Sequence, residues 1–155
     1  MGVAMNDHHL TRYCRFFETL QTDSLQVLPE LFTAQAIFRD PFNHVQGHAA
    51  IRRIFEHLLA DHPRCIFVVK ETLQQDAIAY IRWDFSPDSD GDLTIDGVSR
   101  VVFETTGKVS EHRDYWDSAS ELFGRLPWIG PPTRWLLRQA QANRNDQIDE
   151  LTATA

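Results

Sequence analysis

The segment Val109-Ser-Glu-His112-Arg-Asp114-Tyr-Trp116-Asp117 narrows what this chain can fold into more than any other stretch. It reads as a strand that interleaves ionisable and aromatic side chains. Alternate residues of a strand share a face, so His112, Asp114 and Trp116 point one way and Arg113, Tyr115 and Asp117 the other. An imidazole, a carboxylate and an indole are costly to bury together in a small domain unless they line a wet or ligand-filled pocket. The fold must therefore supply a sheet with one such face turned inward.

The rest of the chain is long enough to cover that face. Its 155 residues make one domain with a real core, and 43% hydrophobic with 24% charged residues is a globular composition. The net charge is -7 and no basic run exceeds Arg52-Arg53, which argues against nucleic acid or an anionic membrane as partner. The start lacks a basic region followed by a long apolar stretch, so no signal peptide is expected, and no run approaches the length of a membrane span. Cys14 and Cys65 are too few for a disulfide framework and fit a reducing cytoplasm as small buried hydrophobes.

Helical spacing marks residues 9–21, through Leu10, Tyr13, Cys14, Phe16, Phe17 and Leu20. Asp23 or Ser24 is expected to cap a short second helix with Leu25, Leu28, Leu31 and Phe32 on one side. Ala36–Asp40 reads as a strand ended by Pro41. Gly47 precedes a third helix whose stripe is Ile51, Ile54, Phe55, Leu58 and Leu59, stopped by Pro63. Strand-like runs come next at Cys65–Leu73, Ala77–Phe85, Ile95–Thr105 and Lys108–Asp117. Helices first and an antiparallel meander after them give an α+β fold, with the helices covering one face of the sheet. Ser118–Leu126 reads as a short helix, with Asp117 as its cap. Pro127–Pro132 reads as a rigid turn, and Thr133 as the cap of an amphipathic helix through Trp135, Leu136 and Leu137. These divide the domain into a main body, 1–126, and a C-terminal extension, 127–155.

Two metal-like patterns fail on spacing. Asp88-Ser-Asp90-Gly-Asp92 lacks the glycine and glutamate positions of a calcium loop and reads as a solvated hairpin turn. His44 and His48 straddle Gly47 and lack the adjacent glutamate of a zinc protease motif. No metal, no phosphate loop and no cofactor is expected.

The order of elements, together with Glu30-Leu-Phe32, Phe38-Arg-Asp40-Pro41, Gly47-His-Ala-Ala-Ile51, Gly107-Lys-Val109 and His112–Asp117, resembles the nuclear-transport-factor-2-like superfamily. That superfamily includes ketosteroid isomerase and the SnoaL-type polyketide cyclases, and the resemblance covers roughly residues 9–117. It implies a cone: a strongly curved antiparallel sheet wrapped around helices, with a pocket at the open end and a frequent homodimer through the sheet. In ketosteroid isomerase an aspartate base works with a tyrosine and a protonated aspartate as oxyanion donors. By the resemblance, Asp40 stands at the base, Phe16 at the tyrosine and Ser99 at the protonated aspartate. Both donors are thus absent, which argues against steroid isomerisation by that route. Tyr13, one turn before Phe16, could supply a hydroxyl only if the helix is rotated or shifted.

The same comparison puts Ser99, Val101, Phe103, His112, Asp114 and Trp116 on the pocket face, and strand alternation gives the same set for the last strand. The Cβ atoms of His112 and Asp114 would lie roughly 6–7 Å apart, close enough to share a ligand or a water. The expected acid–base set is Asp40, His112 and Asp114, with Tyr13 or Ser99 as donors and Phe16, Trp83, Phe103 and Trp116 as walls. Each has a plainer role beside it: Asp40 as a turn cap, His112 as a satisfied core histidine, Asp114 as a partner of backbone or arginine, Trp83 and Trp116 as packing. Arg100 and Tyr115 are expected to face outward. Two functions stay open: a cofactor-free isomerase, cyclase or hydrolase acting on a small apolar or carbonyl-containing molecule, and a non-catalytic ligand-binding or interaction module on the same fold.

Overall fold

A computed structural model describes residues 7–117. The helices, turn and tail expected after Asp117, including Trp128, Trp135 and Leu136, lie outside the described residues. The described part contains three α-helices and six strands: α1 Asp7–Glu18, α2 Leu28–Leu31, β1 Phe32–Arg39, β2 His44–Gln46, α3 His48–Asp61, β3 Ile66–Gln75, β4 Ile78–Ser86, β5 Ile95–Phe103 and β6 Val109–Trp116. No described helix is long and apolar enough to cross a membrane.

The strands form one curved open sheet in the order β2-β1-β6-β5-β4-β3. From β6 to β3 every pairing is antiparallel, as the meander implied. β1 runs parallel to β6, however, so the sheet is mixed rather than wholly antiparallel. The cause is topological. β2 occupies one side of β1, and the β3–β6 meander that follows α3 closes on the other side through its last strand. The parallel register sets Phe38 against His112 and Arg39 against Arg113.

The helices follow their apolar stripes. Leu10, Tyr13 and Cys14 of α1 are buried, as are Ile51 and Phe55 of α3, and all join one core with Phe32, Ala36, Phe38, Ile81, Val101, Phe103 and Val109. The expected second helix is instead two pieces, a 3-10 helix Thr22–Val27 followed by α2, and Phe32 already belongs to β1. Pro29 explains the break, because it has no N–H to continue an existing helix and is tolerated in the first turn of a new one. Neither expected residue is the cap. Gln21 occupies that position, and Ser24 supports it by accepting from the Gln21 N–H at 2.9 Å.

Gly47 sits at the entrance of α3 with φ +86°, a backbone conformation that disfavours a side chain, so the hairpin can turn directly into the helix. β2, only His44–Gln46, is too short and too exposed to show a periodic signal in sequence. The β4–β5 loop is closed by ion pairs from Arg64 to Asp88, at 2.8 Å, and to Asp90, so these carboxylates of the calcium-like run hold a turn.

A bulge in β6 resets which of its side chains face the core. Val109 pairs with Phe103 and Glu111 with Val102, leaving Ser110 as an extra residue. Val109 and His112 can therefore both face inward although they are three positions apart.

Candidate functional site

The site grows from two adjacent strands. Ser99 of β5 and Asp114 of β6 are directly opposed, and Trp83 of β4 opposes Gly97, two residues from Ser99 on the same face. Gly97 opens the space. A Cβ there would lie 2.3 Å from the Trp83 ring, so only glycine lets the indole recline across the sheet. In that position the Trp83 Nε1–H donates to Ser99 Oγ at 2.8 Å. The Ser99 hydroxyl donates in turn to Asp114 Oδ1 at 2.5 Å.

The same Asp114 oxygen meets His112 Nε2 at 2.7 Å. The other ring nitrogen, Nδ1, lies 2.7 Å from the Tyr13 hydroxyl on α1. The result is a continuous polar chain, Trp83–Ser99–Asp114–His112–Tyr13, drawn from three strands and a helix. It runs through an otherwise apolar interior: Tyr13 is 1% exposed, His112 2% and Ser99 3%. Such a chain is tolerable because every member finds a partner.

One atom is the exception. Both internal contacts of Asp114 fall on Oδ1, and Oδ2 has no hydrogen-bond partner among the described residues. The Asp114 side chain keeps 15% of its exposure, against 3% for that of His112. The chain is thus sealed at Tyr13 and open at Asp114.

His112 is fixed by aromatic packing as well. The Phe38 ring lies parallel to the imidazole with centroids 4.5 Å apart, and Phe17 stacks at 5.7 Å. Tyr13 packs edge-on against Phe17, Phe32 and Phe103. Burial, reinforced by the charges of Asp114 and Cys14, pushes the Tyr13 phenol well above its ordinary value of 10.0, so it stays protonated. Burial also raises the neighbouring Cys14 thiol to about 11.

The expected residues divide clearly. His112, Asp114, Ser99, Trp83 and Tyr13 come together. Tyr13 and Phe16 both face inward, without any shift of the helix register argued from periodicity. Both Tyr13 and Ser99 spend their hydroxyls inside the chain. Phe16 packs against Phe17 and Phe55, and Phe103 against Tyr13, both in the buried core. Trp116 is half-buried and meets the exposed Phe42 edge-on at 5.5 Å.

Asp40 takes up the work of a turn cap. Its Oδ1 accepts from the backbone N–H groups of Phe42, at 2.7 Å, and Asn43, at 2.6 Å. The Asn43 amide reaches both of its oxygens. Asp40 follows Arg39, whose partner is Arg113, and so stands at the Asp114 end of the sheet. No hydrogen bond joins it to His112 or Asp114 among the described residues, so the three expected acid–base groups do not form one bonded set. Residues not anticipated as part of the site are Phe38 and Phe17, which clamp the imidazole, and Asn43, which holds Asp40. Phe38 stood only within a strand and a family motif in the sequence, because its partnership with His112 depends on the long-range β1–β6 register.

Chemically, this arrangement can take a proton at Asp114 Oδ2 and return it there. Among the described residues, no group of three or more His, Cys, Asp or Glu side chains is placed to hold a metal ion.

Comparison with known proteins agrees with the fold. Several solved structures share it. A candidate SnoaL-like polyketide cyclase from Jannaschia sp. CCS1 is 15% identical, with 84% of this chain and 96% of that one covered and a TM-score of 0.64. A candidate isomerase of the SnoaL-like family from Agrobacterium tumefaciens str. C58 is 16% identical, with 71% and 95% covered and a TM-score of 0.62. An NTF2-like protein of unknown function from Cytophaga hutchinsonii ATCC 33406 is 13% identical, with 77% and 97% covered and a TM-score of 0.59. No curated protein matches the sequence. The model of the SnoaL-like domain family matches residues 14–112, a span that begins within α1 and ends on His112 of the polar chain. The chain therefore belongs to the SnoaL-like family.

Proposed function

We propose that this protein is a cofactor-free isomerase or cyclase in which Asp114 exchanges a proton with a small, apolar, carbonyl-containing substrate. The observation that carries the reading is the asymmetry of the Asp114 carboxylate. Oδ1 is held by Ser99 at 2.5 Å and by His112 at 2.7 Å, while Oδ2 has no internal partner among the described residues. A base with one oxygen anchored and the other open is oriented for a single direction of attack. The candidate cyclase and isomerase relatives lend the reaction type.

The chemistry balances without a redox partner. Asp114 removes a proton from the carbon next to a carbonyl, and the electron pair of the broken C–H bond moves into the enolate. For isomerisation, the proton returns to another carbon of the same enolate. For cyclisation, the enolate carbon bonds to a second carbonyl of the substrate and the proton passes from Asp114 to the new alkoxide. Trp116, half-buried and two residues beyond Asp114 on β6, suits an apolar ligand. A non-catalytic binding role is favoured by one feature, that the hydroxyls of Tyr13 and Ser99 are spent internally and supply no oxyanion donor.

Solvent deuterium exchange into β,γ-unsaturated ketones and β-keto esters, followed by NMR, separates the two. The enzyme reading expects accelerated exchange and a loss of about 10²–10⁴-fold in Asp114→Asn. Binding of these compounds without exchange by the wild-type protein would establish the binding role instead.

A further inference from the structure

We propose that Tyr13 is a positioning residue that fixes which nitrogen of His112 carries its proton, and through it holds Asp114 with Oδ2 turned to the ligand. The inference rests on the acid–base reading of Asp114 for its purpose, but its structural content stands apart from it.

Donors and acceptors along the chain can be matched in only one way. The Tyr13 hydroxyl has a single polar partner among the described residues, His112 Nδ1 at 2.7 Å. At 1% exposure the phenol cannot turn to bulk water. Its proton must therefore be donated to Nδ1, because a sealed O–H without an acceptor is among the costliest arrangements in a protein interior. Nδ1 then carries no proton, and a neutral imidazole carries it on Nε2. That is the nitrogen 2.7 Å from Asp114 Oδ1.

The remaining links agree. With Nε2–H as donor, Oδ1 receives two hydrogen bonds, one from His112 and one from Ser99, and donation runs in one direction from Tyr13 to Asp114. The opposite tautomer would face the unprotonated Nε2 against Oδ1 and leave the Tyr13 proton with nowhere to go. Burial keeps the phenol protonated well past its usual range, so the donor does not switch off in moderately alkaline solution. Phe38 and Phe17 packed on the ring prevent the imidazole from turning over to exchange its nitrogens.

Phenylalanine at position 13 preserves the ring that packs on Phe17, Phe32 and Phe103 and removes only the donor. The test is nitrogen-15 NMR of the histidine rings in the ligand-free, full-length protein, with His112 identified by its contacts to the Phe38 ring. Wild type is expected to show one neutral tautomer, protonated at Nε2. In Tyr13→Phe, Nδ1 loses its donor while Asp114 Oδ1 still faces Nε2, so the share of rings that carry a proton on Nδ1 as well as on Nε2 should rise at least tenfold. A wild-type proton on Nδ1, or a Tyr13→Phe ring that keeps only the Nε2–H form, would overturn the proposal. Should that variant fail to fold, the wild-type protein suffices: a slowly exchanging Tyr13 hydroxyl proton with scalar coupling to Nδ1 supports the assignment, and a proton coupled to Nδ1 as its own N–H refutes it. None of these readouts uses activity, so the proposal can fail while Asp114 remains the base, and the reverse.

Discussion

The two faces of the β4–β5–β6 sheet use the same strands and similar residue types, and they treat charge in opposite ways. On the inner face the row Ile81–Ser99–Asp114 is followed by Val101–His112, and its polar groups, buried at Ser99 and His112 and half-buried at Asp114, are joined into one chain. One residue along each strand, the outer face carries Tyr80–Arg100–Arg113, with Arg100 paired to Glu111 at 3.1 Å and Arg113 lying 4.8 Å over the Tyr115 ring. Arg82–Asp96 and Lys70–Asp84 continue the outer set in solvent. Exposed pairs gain little, because water screens them and already solvates each partner. The inner chain has no such reserve, since a buried group that loses its partner loses it outright. Position relative to the sheet, rather than residue type, decides which charges can carry function.

A graded series of stabilities is expected from this contrast. Phe38→Ala removes the ring stacked on His112 and should cost about 3–5 kcal/mol in urea unfolding. A loss below about 1 kcal/mol would show that the imidazole does not depend on that clamp. Ser99→Ala strands the Trp83 N–H and deprives Asp114 of a donor, for an expected loss of about 1–3 kcal/mol. Gly97→Ala drives a methyl into the Trp83 ring and should cost a similar ~1–3 kcal/mol. It should also shift the tryptophan fluorescence as the indole leaves Ser99, and an unchanged spectrum would contradict the packing described.

Alkaline unfolding probes the interior beside Tyr13. Cys14 is raised from 9.0 to about 11, so the folded protein holds the thiol proton after the unfolded chain has released it. Its contribution is fully present below pH 9 and is lost as pH rises from about 9 to 11. Cys14→Ala should flatten that part of the stability profile, whereas an identical slope in both proteins would place the thiol in ordinary solvent. At the small end, Arg100→Ala on the outer face should change stability by no more than about 0.5–1 kcal/mol. A larger loss would mean that the outer face is covered in solution, as in the homodimer that the family resemblance implies.

Much of this architecture is legible in the sequence because it is written locally. The alternation over 109–117 gives the inward set His112, Asp114 and Trp116, and the 14-residue α3 follows directly from its stripe and from Gly47 and Pro63. What escapes is long-range. Phe38 meets His112 only through the parallel β1–β6 pairing, which no local pattern encodes. The hydroxyl of Tyr13 meets the imidazole across 99 positions of sequence. Asp40 illustrates the converse: a carboxylate before proline serves a turn or a reaction equally well in sequence, and the turn role becomes visible only in its hydrogen bonds from Phe42 and Asn43.

If Asp114 rather than Asp40 is the group that exchanges the proton, the two carboxylates must respond unequally to loss of charge. Rates of deuterium incorporation into one responsive β-keto ester, measured side by side for wild type, Asp114→Asn and Asp40→Asn, decide between them. The expected loss is about 10²–10⁴-fold for Asp114→Asn and less than about tenfold for Asp40→Asn. Equal rates in wild type and Asp114→Asn, or the greater loss in Asp40→Asn, would contradict the assignment of Asp114 as the base.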